Sequence, residues 1–424
     1  MRNLLNFFIE IGKLKRMPRR GWVINQIKNP ESIAEHIFRT VLMSWILGEK
    51  KEGLNVEKLL KMALIHDLCE IYAGDTTPYD SVLPRSKKKL KELMKTWPRF
   101  PNYQKKEQAF KKYKKETEAL EKLILRLPTD LKKEIKNLWL DYEKGLTSEG
   151  RFFHQTDRME NFLQAYEYWR KYKNPPLGPW WLWAREFFDD SLLIEFMKVL
   201  EKKFHQQKIP KKLKPFLVLL NFFNGVGKLK KKERRGWVIH QIKNPETTAE
   251  HIFHLVVVVW VLGRNKKINL ERAIKMALVH DLCEVYAPDL IPIDALLFKN
   301  KKKPTLKKIL KSKPKIGYPT IEQREKLAKL KQVLEKKALE KLLVKLPAKF
   351  KKEIRDLFKE YNKGFASVAR FVKQAEYLIN FLQAMEYWKR YKQIPYRLWV
   401  RWAKESIDDP ILLQFVDEIE RKFH

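Results

Sequence analysis

The chain has 424 residues, 44% of them hydrophobic, and 89 lysines and arginines against 51 acidic residues give a formal net charge of +38. That length holds two domains with real cores, and only two cysteines exclude a secreted disulfide framework. The excess charge attracts phosphorylated partners, but the basic residues are spread over nearly every predicted helix among glutamates and form no nucleic-acid-binding motif. No specific nucleic-acid partner is therefore expected. Glycine is scarce, strand-like alternation is absent and Leu/Lys/Glu-rich helical periodicity dominates, so the fold class is all-α.

In chain order, Met1 to Arg16 places basic residues after a short apolar patch, the outline of a signal peptide. Its copy at Leu219 to Lys230 lies mid-chain, so both are read as domain helices. Arg19-Arg20-Gly21-Trp22 follows. Ser32-Ile33-Ala34-Glu35 then forms a capping box that puts His36 in the first turn of a helix running through Leu47. Met62 to Asp75 begins as an apolar helical run and contains His66, Asp67, Glu70 and Asp75. Pro84 to Tyr103 and its counterpart Phe298 to Pro319, rich in Lys, Pro and aromatics, are read as mobile loops over a site mouth or as solvated surface. Helices are expected over Glu107 to Leu127 and Lys132 to Tyr142, then around Asp157. The tail Trp180-Trp181-Leu182-Trp183 suits packing anchors. The most apolar run, Ile252 to Gly263, is too short to span a bilayer. Neither a membrane partner nor a targeting segment is expected, and the compartment is read as cytoplasmic.

The chain repeats itself. Gly21-Trp22-Val23-Ile24 returns as Gly236-Trp237-Val238-Ile239, Ala34-Glu35-His36 as Ala249-Glu250-His251, and Ile65-His66-Asp67-Leu68-Cys69-Glu70 as Val279-His280-Asp281-Leu282-Cys283-Glu284. Asn161-Phe162-Leu163-Gln164-Ala165 returns as Asn380-Phe381-Leu382-Gln383-Ala384. This is a tandem duplication of a domain of ordinary size, with domains at 1–207 and 216–424 and a linker near Gln206 to Pro215. The two cysteines, Cys69 and Cys283, take equivalent positions and are read as small buried residues of a reduced compartment.

Residues His66, Asp67 and Glu70 can share one side of a helix. Such groups in an apolar helix need partners: either a neighbouring acid for the histidine, or a divalent metal that takes the imidazole lone pair and offsets the carboxylates.

The spaced set His36, His66-Asp67 and Asp157, with the flanking words Gly12-Lys13-Leu14-Lys15-Arg16, Arg20-Gly21-Trp22, Asn29-Pro30-Glu31-Ser32 and Gly74-Asp75, resembles the HD-domain phosphohydrolases, and among them the 5′-deoxynucleotidases. The resemblance implies that His36, His66, Asp67 and Asp157 hold one divalent ion, for which Mn, Co, Mg, Fe, Ni and Zn all stay open. It implies hydrolysis of (deoxy)nucleoside 5′-monophosphates, with Glu70 orienting or deprotonating water. Asp75 either shares that role, supports a second ion, or is a turn residue. Arg19 or Arg20 would grip phosphate, and Trp22 would wall the nucleoside pocket. In the second repeat the corresponding ligands are His251, His280, Asp281 and Glu376, with Glu284 and Asp289 as catalytic carboxylates and Arg234, Arg235 and Trp237 facing substrate. Glu376 replaces aspartate and Pro288 replaces Gly74, so this site is expected to bind metal but act more weakly. Because the related enzymes are homodimers, the two copies are expected to pack as an intrachain pseudo-dimer in a monomer or weak homodimer. The alternatives are another HD-type hydrolase acting on cyclic nucleotides or dNTPs, and a nonenzymatic nucleotide- or nucleic-acid-binding protein.

Overall fold

The computed structural model describes residues 1–77, 79–96, 100–175, 177–291, 294–297 and 320–424. Among them there are helices and turns but no strand; the only extended pairings are two isolated bridges. The first repeat runs α1 (Arg2–Ile11), α2 (Arg20–Ile24), α3 (Ile33–Gly48), α4 (Val56–Ile65), α5 (Glu70–Ala73), α6 (Lys87–Thr96), α7 (Asn102–Ile124), α8 (Thr129–Lys144), α9 (Ser148–Tyr172), α10 (Gly178–Phe187) and α11 (Ser191–Phe204). The second runs α12 (Lys214–Val226), α13 (Arg235–Ile239), α14 (Thr248–Gly263), α15 (Leu270–Val279), α16 (Asp294–Leu297), α17 (Ile321–Leu343), α18 (Ala348–Lys363), α19 (Ser367–Tyr391), α20 (Tyr396–Ser406) and α21 (Pro410–Phe423). The chain divides into two compact units, Met1–Asn224 and Gly225–His424, and the division falls inside α12.

The first unit is built on α3, every residue of which is buried. It packs against α4 and α9, while α4 also packs on α8 and α9, and α5 on α7. The expected capping box is present. Glu35 N–H donates to Ser32 Oγ at 3.2 Å and Ser32 N–H donates to Glu35 Oε2 at 2.8 Å, which satisfies two of the amide donors a helix start leaves open. A bridge between Pro18 and Ser32, with Arg19 N–H donating to the Glu31 carbonyl at 3.0 Å and Ile33 N–H to the Met17 carbonyl at 2.9 Å, fixes Arg19 beside the α3 N-terminus. The second unit repeats this start on α14: Thr247 and Glu250 form the box, and a Glu233–Thr247 bridge places Arg234.

Two expectations change. The helix through Met62 does not continue to Glu70. It ends at Ile65, a turn carries His66 to Cys69, and a separate one-turn α5 begins at Glu70. Adjacent residues on an α-helix point about 100° apart, so the break is what lets both His66 and Asp67 face one point. Gly74 then leaves α5 at φ 72°, a value proline cannot adopt. Accordingly the second copy, with Pro288, forms a 3₁₀ turn over Leu282–Val285 instead. Within Pro84 to Tyr103, residues 87–96 form α6 rather than a loop, and Leu90, Leu93 and Met94 pack with Ile24 and Tyr79. Its counterpart Phe298 to Pro319 lies outside the described residues. Cys69 and Cys283 are buried free thiols.

Removing the Ser32 hydroxyl takes away one half of the capping box. Ser32→Ala is expected to lower unfolding stability by about 1 kcal/mol, read as a lower urea midpoint at unchanged slope; an unmoved midpoint would show that the box does not hold α3.

Candidate metal centre

Four side chains from two helices and one turn meet at the centre of the first unit. His36 comes from the first turn of α3, His66 and Asp67 from the turn after α4, and Asp157 from the middle of α9. His36 Nε2 lies 3.0 Å from Asp157 Oδ1, 3.3 Å from His66 Nε2 and 3.7 Å from Asp67 Oδ2. His66 Nε2 is 3.2 Å from Asp67 Oδ2 and 3.8 Å from Asp157 Oδ1. The structure thus brings together the four residues that sequence spacing had separated by up to 121 positions along the chain.

The hydrogen bonds behind the rings decide which nitrogen faces the centre. His66 Nδ1 donates to the Ala63 carbonyl at 2.8 Å, and His36 Nδ1 meets Glu160 Oε2 at 2.5 Å. Both partners are acceptors, so both protons sit on Nδ1 and both Nε2 lone pairs point inward. Two such nitrogens 3.3 Å apart are satisfied by a proton on one of them or by a metal ion between them. Burial, the largest influence, and Arg19 both press His36 towards neutrality, yet Glu160 and Asp157 outweigh them and raise its pKa to about 9. Two imidazole nitrogens and two carboxylate oxygens fit a divalent transition ion, which would compete with that proton.

The support is as deeply buried as the ligands. Glu160 and Arg39 have no exposed side-chain surface, and Arg39 NH2 lies 2.7 Å from Glu160 Oε1. Arg39 also donates to Gln164 and Glu167. Asp157 Oδ2 accepts from Tyr142 at 3.2 Å. Sequence reasoning passed over Arg39, Glu160 and Tyr142. The available signal was spacing: Arg39 and Glu160 each stand three residues after a ligand, one helical turn away.

Of the two arginines, Arg19 turns into the site. Its guanidinium donates to Asp67 Oδ2 at 2.6 Å and to Asn161 Oδ1 at 3.1 Å. Arg20 is instead paired through Nε with Asp80 at 2.8 Å. Asp75 accepts the Arg20 backbone N–H at 2.7 Å and lies 3.8 Å from Arg19 Nε, so it anchors the arginine segment. Glu70 is buried: Oε1 lies 3.9 Å from Arg19, and Oε2 has no hydrogen-bond partner among the described residues. Burial first, then the Asp67 and Asp75 charges, raise its pKa well above the ordinary carboxylate range, whereas His66 and Arg19 outweigh burial and hold Asp67 below it.

These groups open onto a cavity of about 610 Å³. Aromatic rings form one wall: Trp22 stacks on Trp180 with ring centroids 5.7 Å apart, and Trp183 stacks on Tyr79 at 6.2 Å. Trp180 and Trp183 therefore line the cavity, while Trp181 packs inward. Lys112 on α7 and Arg158 on α9 bring positive charge to the lining.

The second unit reproduces part of this. His251, His280 and Asp281 offer ligand atoms within 4.8 Å of one another. His280 Nδ1 donates to the Ala277 carbonyl at 2.7 Å, Arg234 donates to Asp281 at 2.9 Å and to Asn380 at 3.1 Å, and Trp237 stacks on Trp399. Arg235 N–H donates to Asp289 at 2.9 Å. Glu376, however, gives its carboxylate to the Tyr361 hydroxyl, with Asn380 Nδ2 at 3.4 Å. Burial first, then Asp281 and Asp289, raise the Glu284 pKa to about 8.

Comparison with known proteins agrees with both units. The family described as HD domain matches residues 11–178 and again 226–407. The 5′-deoxynucleotidase HDDC2 of Bos taurus is 37% identical over 167 residues, covering 39% of this chain and 68% of that protein. The Homo sapiens protein of the same name is 34% identical, covering 39% and 69%, and the 5′-deoxynucleotidase hdd1 of Schizosaccharomyces pombe is 29% identical, covering 45% and 85%. A solved structure of a conserved hypothetical protein from Pyrococcus furiosus is 30% identical and covers 46% of this chain and 98% of its own, with a TM-score of 0.33.

Because Glu160 fixes the His36 tautomer, Glu160→Gln is expected to weaken manganese binding to the first unit by roughly 10–100-fold. Titration calorimetry reads this directly, and an unchanged affinity would remove Glu160 from the site's support.

Proposed function

Since this chain belongs to the HD domain family, we propose that its first unit is a metal-dependent phosphomonoesterase that converts (deoxy)nucleoside 5′-monophosphates into nucleoside and phosphate. The observation that carries this reading is the convergence of His36 Nε2, His66 Nε2, Asp67 and Asp157, the two aspartates lining a cavity with an aromatic wall. The relatives named 5′-deoxynucleotidase support the choice of substrate. Among the described residues no helix is long and apolar enough to cross a membrane.

A divalent ion held by those four residues supplies Lewis acidity, polarising a phosphate oxygen and lowering the pKa of water. The chain's own groups do the rest. Glu70 stands beside the ligands with one carboxylate oxygen uncommitted, which places it to take a proton from water. The water oxygen forms the new bond to phosphorus, the bond to the 5′ oxygen breaks, and the proton returns through Glu70 to the departing nucleoside oxygen. Arg19 holds Asp67 in place and keeps guanidinium edge towards the phosphate. Arg158 and Lys112 line the cavity and meet the phosphate dianion, and the Trp22–Trp180 stack takes the nucleoside.

The test is orthophosphate release by the manganese-reconstituted chain from deoxynucleoside monophosphates, ribonucleoside monophosphates, dNTPs and cyclic nucleotides. Orthophosphate from the monophosphates is expected. Reaction confined to dNTPs or cyclic nucleotides would contradict the monoesterase reading, and no turnover of any of them would contradict an enzyme of this class.

Two substitutions separate the roles. Glu70→Gln is expected to lower kcat by about 10²-fold with the ion retained; an unchanged kcat would exclude Glu70 as the base. Arg158→Ala is expected to raise KM by about 10-fold, the value of one charge-assisted hydrogen bond, with kcat little altered. An unchanged KM would show that Arg158 does not meet the substrate.

A further inference from the structure

We propose that the second unit has lost the catalytic ion and does not hydrolyse substrate, so that the chain carries one working centre. The inference rests on the reading of the first unit given above, since that reading defines what a working centre needs. The second copy keeps His251, His280 and Asp281, but the fourth ligand, the carboxylate behind the first histidine, the freedom of the base and the cavity cation are all changed.

The fourth ligand differs in length. Asp157 Oδ1 stands 3.0 Å from His36 Nε2, but the longer Glu376 folds onto the Tyr361 hydroxyl and Asn380. In the first unit Tyr142 and Asn161 make the same two bonds to Asp157, at 3.2 and 3.3 Å, so what changes is the extra methylene of Glu376, which moves its carboxylate relative to the helix backbone.

The support of the first ligand has gone. Counting from the matched Asn161 and Asn380, Ile379 stands where Glu160 stands, and it is buried. An isoleucine offers no acceptor to His251 Nδ1, which lies 3.9 Å from Glu246 Oε1 instead. The arginine that balances Glu160 has changed with it: His254 occupies the place of Arg39. The two changes are coupled, because either charge left alone in this buried position would be strongly destabilising.

The base is occupied. Glu284 Oε2 accepts a hydrogen bond from the Thr248 hydroxyl at 2.8 Å and lies 3.8 Å from Lys232 Nζ, which also donates to the carbonyls of Glu284 and Ala287 at 2.6 Å each. The matching positions in the first unit are Ile33 and Met17, which cannot make these bonds. Finally, Tyr377 replaces the cavity cation Arg158. What survives is three ligand side chains, His251, His280 and Asp281, with the Arg234 contacts to Asp281 and Asn380 and the Trp237–Trp399 stack.

Replacing the carboxylate behind the first histidine by isoleucine lowers metal affinity by roughly 10–100-fold, and the longer fourth side chain lowers it further. An ion concentration that fills the first unit therefore leaves the second unfilled. The experiment is manganese content per chain, measured by mass spectrometry on the full-length protein after chelation, reconstitution and gel filtration. One ion per chain is expected. Asp67→Asn should remove both that ion and all phosphate release, while Asp281→Asn should leave the ion content at one. Two ions in the unsubstituted chain, loss of the ion on Asp281→Asn, or substantial phosphate release surviving Asp67→Asn would each overturn the inference. The unsubstituted count decides the matter even if a variant fails to fold. No ion in either unit would instead overturn the metal premise of the proposed function, and one ion without turnover of any nucleotide would overturn its reaction while leaving the single-ion assignment standing.

Discussion

A carboxylate with no exposed surface governs the first unit. Glu160 sits on α9, faces the fully buried α3, and divides its two oxygens between His36 Nδ1 and Arg39. Removing one partner of such a buried pair costs about 3–5 kcal/mol, whereas exposed pairs such as Lys326–Glu322 and Lys111–Glu107 are screened by water and hold little. Most of the ion pairs on this lysine-rich surface therefore decide little. The Arg39–Glu160–His36 chain locks α3 to α9 in one register, and that register sets Asp157 opposite His36. Stability and ligand geometry come from the same contacts.

A second constraint is the interruption after α4. A continuous helix would have pointed His66 and Asp67 in different directions. The turn over residues 66–69 brings both to the centre and starts a new helix at Glu70, which carries the one buried carboxylate oxygen of the first centre without a hydrogen-bond partner. The arginine segment is then pinned from two sides, by the Pro18–Ser32 bridge and by Asp75 on the Arg20 amide, and Arg19 completes the ring around Asp67. The candidate ligands, Glu70 and Arg19 thus rest on short backbone features.

The helical class, the duplication and the set His36, His66, Asp67 and Asp157 were legible in the sequence because each leaves a local signature: periodicity, repeated words, a capping box, a histidine beside an aspartate. The remainder was not, for physical reasons. The break at His66 carries no glycine or proline and results from packing, so periodicity alone extends the helix through it. Glu160 and Arg39 look like ordinary charges on helices until α3 is seen to be buried on every side. The tryptophans after Leu177 divide between cavity wall and core, a division that spacing does not encode. In the second repeat the replacement of Asp157 by Glu376 was visible, but Ile379 and His254 gained meaning only once Glu160 and Arg39 proved to stand behind His36, and Thr248 only once its hydroxyl was found on Glu284.

The central claim is that the first unit holds one divalent ion between α3, the His66–Asp67 turn and α9. Anomalous diffraction from crystals grown with manganese tests it most directly. The account predicts a strong peak at coordination distance, about 2.0–2.2 Å, from His36 Nε2, His66 Nε2 and carboxylate oxygens of Asp67 and Asp157. A peak elsewhere in the unit, or ordered density for these four side chains with no ion among them at saturating manganese, would contradict it.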